Sequence, residues 1–218
     1  MPLPKLLPYW TRFYVIRHGQ TEWNIEKRLQ GHQDSPLTPL GIAQAQERAL
    51  TLKDVPFDEI FSSDLFRAQH TAQIIALDRQ IALKTSQLLR EGTLGKYEGK
   101  TVPEFRAELQ EMLQKRDTLS EREQFSFKLS DDIESYEEIA QRLNRFIREA
   151  AVAYPGKTLG VVSHAGVLRS FLIQLAFGSE KSLPHGSISN LAYFVLDSNG
   201  IEFEVCATEG ITMEKMSL

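Results

Sequence analysis

Apolar residues along the chain fall into short blocks with two distinct periods. FYVIR (13–17), DEIFSS (58–63), IALKT (81–85) and KTLGVVS (157–163) are compact runs rich in aromatic and β-branched residues, and they predict buried strands. Between them, TPLGIAQAQERALTL (38–52) and SDLFRAQHTAQIIAL (63–77) return apolar residues every three or four positions, the period of a helix. Thr38 reads as the N-cap of the first, with Pro39 at its first helical position, and Ser63 or Asp64 as the cap of the second. Thr101-x-x-Glu104 and Ser135-x-x-Glu138 are capping boxes that open two more helices. The latter runs to about Ala153, with Ile139, Leu143, Phe146 and Ile147 on a core-facing stripe. A further helix spans about Gly166 to Phe177 and ends at Gly178. NLAYFVLDSNGIEFEVCA (190–207) predicts a hairpin turning at Asn199-Gly200.

Strand and helix alternate through most of the chain, which argues an α/β fold whose sheet is largely parallel and covered on both faces. Residues 92–133 break the rhythm, carry more charge and lack a strong strand. They are expected to be an insertion, a lid over one end of the sheet within one domain spanning 1–218.

In such sheets ligands bind beyond the carboxyl ends of the strands. Arg17-His18-Gly19 follows the first strand, Ser62-Ser63-Asp64-x-x-Arg67 the second, and Ser163-His164-Ala165-Gly166 follows KTLGVVS. If these strands are parallel neighbours, two histidines and two arginines converge on one rim, and Glu91 in LLREGTLG can join them. Two planar guanidinium forks, two imidazoles and backbone N–H groups at helix starts describe an oxyanion site, best suited to phosphate. Gly19 and Gly166 are expected to let the backbone approach that ligand. A histidine among phosphate-binding cations can act as a nucleophile, and a carboxylic acid, with Glu91 the candidate, is then needed to protonate the departing alkoxide.

The motifs RHGQTEWN, QGHQDSPLTPLG, SSDLFRAQHTA, LREGTLGKYEG and SHAGVLR, collinear from residue 13 to about 175, resemble the histidine phosphatase superfamily in its phosphoglycerate-mutase-like branch. The resemblance implies a three-layer α/β/α sandwich and a phosphohistidine mechanism with neither metal nor cofactor. It makes His18 the nucleophile, places Arg17, Arg67 and His164 in the phosphate-binding core, adds Asn24, Gln30 and Gly31 as outer phosphate contacts, and makes Glu91 the proton donor. Members that are mutases typically carry Glu-Arg and a short Tyr-containing motif at the acid position. Here Glu91 precedes Gly-Thr-Leu, which is more similar to the phosphatase pattern. A phosphomonoesterase is therefore expected, with a cofactor-dependent phosphoglycerate mutase as the alternative and a non-catalytic phospholigand binder as a remote third. One departure is that Ile133 stands where the family pattern has a glycine.

Composition narrows the partners. A net charge of −4 gives no electrostatic reason to expect nucleic acid or an anionic membrane. A single cysteine, Cys206, excludes an internal disulfide and a multi-cysteine metal site, and its strand-like surroundings suggest a buried apolar role. No apolar run approaches the ~18 residues of a membrane span, and MPLPKLLPYWTR lacks the continuous apolar core of a signal peptide. The expected partner is a small phosphomonoester in the cytoplasm, with a homodimer left open. Bland readings stand beside these. Arg67 could simply pair with Asp64; His32, His70 and His185 lack chemical company; Trp23 and Phe105 read as packing residues; EREQ (121–124) is a solvated face. The stretch Gly95 to Thr101 mimics a P-loop, but has three residues between its glycines instead of four and no convincing strand before it.

Overall fold

A computed structural model describes residues 3–214. In chain order its elements are β1 (Thr11–Arg17), the single-turn α1 (Glu22–Ile25), α2 (Pro39–Thr51), β2 (Glu59–Ser63), α3 (Phe66–Ala76) and β3 (Leu83–Ser86). Then come α4 (Val102–Glu108), α5 (Gln110–Asp117), α6 (Glu121–Ser126), α7 (Tyr136–Ala153), β4 (Thr158–Ser163), α8 (Ala165–Gln174), β5 (Ile188–Ser198) and β6 (Phe203–Ile211). One sheet runs in the order β3-β2-β4-β1-β5-β6. The β3-β2-β4-β1 part is parallel, and β5 and β6 join antiparallel as the expected hairpin.

Alternation along β1 assigns the layers. Phe13 and Val15 belong to the core under α7 and α8, with Leu143, Phe146, Ile147, Leu168 and Phe171. Tyr14 and Ile16 belong to the opposite core under α2 and α3, with Leu52, Ala68, Ala72 and Ile75. The fold is thus a three-layer α/β/α sandwich. The whole stripe read from the sequence on α7 is buried, and truncating a residue such as Leu143 to Ala would cost about 2–5 kcal/mol.

Two helix boundaries differ from expectation. Neither Ser63 nor Asp64 caps α3. Leu65 is the N-cap and offers no side-chain bond, while the N–H groups of Phe66 and Arg67 donate to the Asp34 carboxylate at 2.7 and 3.3 Å. Asp64 is instead held in a fork by Arg90 (2.7 and 2.6 Å). Helix α8 stops at Gln174 rather than Phe177, because Ala176 turns left-handed (φ +56) before Gly178 is reached. Cys206 is half-buried on β6, and its thiol is pushed up to about 11 by burial and by Asp197.

Residues 92–133 contain α4, α5 and α6, and EREQ opens α6 behind a further capping box, Ser120 with Glu123. The segment has its own apolar cluster of Tyr97, Leu109 and Ile133, against which Leu94, Phe105, Leu113 and Leu129 pack. It is stitched to the loop after β1 by backbone bonds from Gly99 N–H to Leu29 O (2.8 Å) and from Leu29 N–H to Lys100 O (2.9 Å). Among the described residues no helix is long and apolar enough to cross a membrane.

Candidate active site

Parallel pairing of β1 with β4 puts Arg17 opposite Ser163, so the next residues, His18 and His164, emerge side by side. Their ring centroids are 5.2 Å apart. His18 is 3% exposed and His164 fully buried. The Nδ1 of His18 lies 2.7 Å from the Gly19 carbonyl, which can only accept, so Nδ1 carries the proton and Nε2 keeps a free lone pair. Burial, then Arg67 and Arg17, hold His18 well below the usual histidine range, so the ring is neutral at pH 7. Burial and Arg67 act likewise on His164, reinforced by His18, Arg142 and Arg17. Both His164 ring nitrogens are buried without a hydrogen-bond partner among the described residues.

The arginines are held by their outer nitrogens. Arg67, 1% exposed, donates from Nη1 to Gln33 O and Asp34 Oδ1 (both 2.7 Å) and from Nη2 to Gly31 O (2.8 Å). Its partner is Asp34 across the loop, not Asp64. Arg17 donates from Nη1 to Ile188 O at 2.6 Å. Burial lowers it to about 10, which leaves it charged at neutral pH. The Nε atoms of both guanidiniums are buried and unpartnered among the described residues.

Asn24, Gln30, Gly31 and Glu91 all line the same cavity as Arg17, His18 and Arg67. The Oδ1 of Asn24 accepts from Thr21 N–H (3.1 Å) and Asn190 Nδ2 (3.3 Å), so its own amide N–H₂ is left to donate. Gln30 is tied at both ends, to Thr21 Oγ1 (2.9 Å) and Ser35 Oγ (3.5 Å), and one amide hydrogen remains. Gly31 has φ +52, and a Cβ there would sit 2.2 Å from Glu98 Oε1; its carbonyl anchors Arg67. Glu91 accepts N–H bonds from Gly92 (Oε1, 3.0 Å) and Gly166 (Oε2, 3.1 Å), spanning the gap between its loop and the start of α8. The two strand-end glycines also face close protein contacts, and Gly166 lines the cavity. A Cβ on Gly19 would meet Gly41 O at 2.6 Å, and one on Gly166 would meet Glu91 Oε1 at 2.5 Å.

Several contributors escaped the sequence reading. Arg142 on α7 grips Glu134 through two bonds (2.7 and 2.8 Å) and donates to the carbonyls of Leu88, Arg90 and Glu91, which fixes the loop that carries Glu91. Asn190 sits at a bulge in β5, beside left-handed Leu191 (φ +56), and donates to His18 O at 3.1 Å. Thr71 accepts the Gly19 N–H at 3.0 Å. His185 and Phe105, read as unremarkable, both line the cavity; His185 Nε2 lies 2.7 Å from Tyr136 Oη. His32 stays outside it, bonding the Glu91 carbonyl at 3.0 Å, and Trp23 packs against Gly99. Among the described residues no group of three or more His, Cys, Asp or Glu side chains is arranged to hold a metal ion.

An adenosylcobalamin/alpha-ribazole phosphatase of Escherichia coli is 31% identical over 196 residues, 86% of this chain and 90% of that protein. A probable phosphoglycerate mutase of Yersinia pestis is 32% identical, covering 78% of each. Among solved structures, Bacillus stearothermophilus YhfR superposes with a TM-score of 0.80 at 28% identity, over 93% of this chain and 98% of that one. A mycobacterial glucosyl-3-phosphoglycerate phosphatase solved with VO3 gives 0.76 at 26% identity, over 89% and 96%. With residues 13–208 matching the pattern of the histidine phosphatase superfamily (branch 1), the chain belongs to that family.

Proposed function

We propose that this chain is a phosphoric monoester hydrolase of the histidine acid phosphatase type, working through a phosphohistidine on His18 without a metal. The carrying observation is a neutral His18 whose Nδ1–H is committed to Gly19 O, set among two arginines with unpartnered Nε atoms and a His164 with two unpartnered nitrogens. Nε2 of His18 attacks phosphorus, and the P–O bond to the alcohol breaks. Glu91 gives its proton to the leaving oxygen. Arg17, Arg67, His164 and the Asn24 amide hold the phosphoryl oxygens as charge spreads over them. Water then attacks the phosphohistidine, Glu91 takes back a proton, the N–P bond breaks and inorganic phosphate leaves. The insertion acts as a lid that keeps bulk water from the cavity. We place the activity in the cytoplasm, among small phosphorylated metabolites. All the groups invoked come from one chain, so a homodimer is not needed for the chemistry.

Quenching in alkaline denaturant with labelled substrate tests this. The label should be base-stable and acid-labile on the wild type and absent, along with turnover, in His18→Ala. Undiminished turnover in that variant overturns the assignment. Because relatives include probable phosphoglycerate mutases, phosphate transfer among phosphoglycerates is measured beside hydrolysis.

A further inference from the structure

The cavity above His18 has a volume of about 740 Å³. At about 30 Å³ per water-sized unit that is room for roughly 25 non-hydrogen atoms, of which the phosphate, ester oxygen included, needs about five. The remaining space is not lined at random. On the insertion side Phe105, Leu113, Phe127 and Leu129 face it and are half-buried, and Ile133 is 4% exposed. The polar lining from the same side, Arg106, Gln110, Gln114 and Asp117, is exposed and forms the rim. The sequence mixes apolar and basic residues through this segment, but the fold separates most of them. Lys115, Arg122 and Lys128 are absent from the lining; Lys128 pairs with Glu138 (3.2 Å), and Lys115 sits over the Phe127 ring at 5.9 Å. Arg116 does line the cavity, half-buried, but its guanidinium is paired with Glu180 and lies over the Tyr136 ring at 5.2 Å. Ile133, where the family pattern has glycine, completes the wall and is fixed from behind by Tyr97 and Leu109.

A small, polar hydroxy-acid phosphate would leave this wall facing water once bound. We infer that the substrate is the phosphate monoester of a bulky, predominantly apolar alcohol, whose hydrocarbon body lies against Phe105, Leu113, Phe127, Leu129 and Ile133. The inference rests on the phosphomonoesterase reading above and adds the substrate class to it. The wall then acts as a selectivity device. It converts apolar surface on the leaving group into binding energy, while the phosphate end stays the same for every ester.

The n-alkyl phosphates from ethyl to octyl isolate this effect, because their leaving-group basicity barely changes along the series. Each methylene buried is worth about fourfold, from about 0.8 kcal/mol per methylene at 1.36 kcal/mol per factor of ten. The value of kcat/KM should therefore climb about fourfold per methylene until the wall is covered, and octyl phosphate should exceed 3-phosphoglycerate. In Leu113→Gln the octyl-to-ethyl ratio should shrink, read within one variant so that lost protein does not enter. A flat or falling series, or a preference for 3-phosphoglycerate over octyl phosphate, overturns the inference. If p-nitrophenyl phosphate still labels His18 in that case, the phosphatase reading survives alone. Should no ester be hydrolysed, both fall together.

Discussion

Gly166→Ala is the most discriminating single change at this site. Gly166 lies in the first turn of α8 without a left-handed φ, so alanine suits its backbone, and helix propensity would favour the substitution by up to about 1 kcal/mol. The new Cβ would stand 2.5 Å from Glu91 Oε1 and 3.1 Å from its Cδ. Relief to ordinary contact requires the carboxyl to move by about 1 Å, since van der Waals separations begin near 3.5 Å. That movement breaks the 3.1 Å bond from Gly166 N–H to Oε2, a hydrogen bond worth about 0.5–1.5 kcal/mol. Stability should consequently fall by no more than about 1.5 kcal/mol. Catalysis should suffer more, because a misplacement of ~1 Å can cost ~10²-fold.

The leaving group separates this effect from general damage. In the proposed mechanism an aliphatic alkoxide needs a proton from Glu91, whereas p-nitrophenolate departs unaided. Rapid-quench measurement of His18 phosphorylation should show a loss of ~10²-fold with an alkyl phosphate and under ~10-fold with p-nitrophenyl phosphate, within the ~10²–10⁴ range of general acid catalysis. Glu91→Gln should reproduce the pattern, and Gly166→Ala added to it should cost almost nothing more, since both act through one carboxyl. Equal loss with both substrates, or additive losses in the double variant, would refute the role given to Glu91.

The remaining expectations concern the cradle around it. His18 and His164 titrate well below 6.5 when folded and near 6.5 when unfolded, so below pH 6.5 the unfolded chain binds more protons and stability falls with pH. Urea unfolding at pH 6.5 and 5 should show that loss, and it should be smaller in His164→Phe, which keeps only one of the two groups; equal stability at both pH values would contradict the burial argument. Arg67→Lys cannot keep the three bonds from Nη1 and Nη2 while presenting Nε, so kcat should drop ~10–100-fold along with weaker binding, and an effect on KM alone would reduce Arg67 to steering. Activity should survive exhaustive chelation because no metal-ligand cluster stands among the described residues; loss restored by Zn²⁺ or Mg²⁺ would count against the mechanism.

What the sequence made legible is what it encodes locally. The runs FYVIR and KTLGVVS declare buried strands, and the abrupt change to Arg-His-Gly and Ser-His-Ala-Gly marks their carboxyl ends as the functional rim. The capping boxes at Thr101 and Ser135 work within four residues and are present as read. Long-range contacts were not legible. Asp34 caps α3 and holds Arg67 from 33 residues away, and nothing around Asp34 announces either task. Asn190 reaches His18 only because β5 bulges. The insertion's apolar residues read as indistinct for the same reason: only tertiary packing decides which of them face the cavity. The glycines were assigned close contacts, correctly in kind, but the neighbours that demand them are Gly41 and Glu91.

The charge at the end of β1, which ordinary strand propensity does not account for, follows from what burial does to these groups. Arg17 Nε, Arg67 Nε and both His164 nitrogens lie buried without partners among the described residues, and a polar atom in that condition costs roughly 1–3 kcal/mol. A fold selected for stability alone would satisfy them or replace them with apolar groups. Here their surroundings prevent relaxation, since Ile188 O, Gln33 O, Asp34 and Gly31 O already fix the guanidiniums by their other nitrogens. In the proposed mechanism the guanidinium donors therefore stand in place before a phosphoryl group arrives and need no reorganisation as its charge spreads in the transition state. Burial first, and then the same guanidiniums, keep His18 neutral and its Nε2 lone pair available. In the proposed mechanism one pair of cations both prepares the nucleophile and receives the phosphate, which accounts for a strand that ends on Arg17 and His18 together.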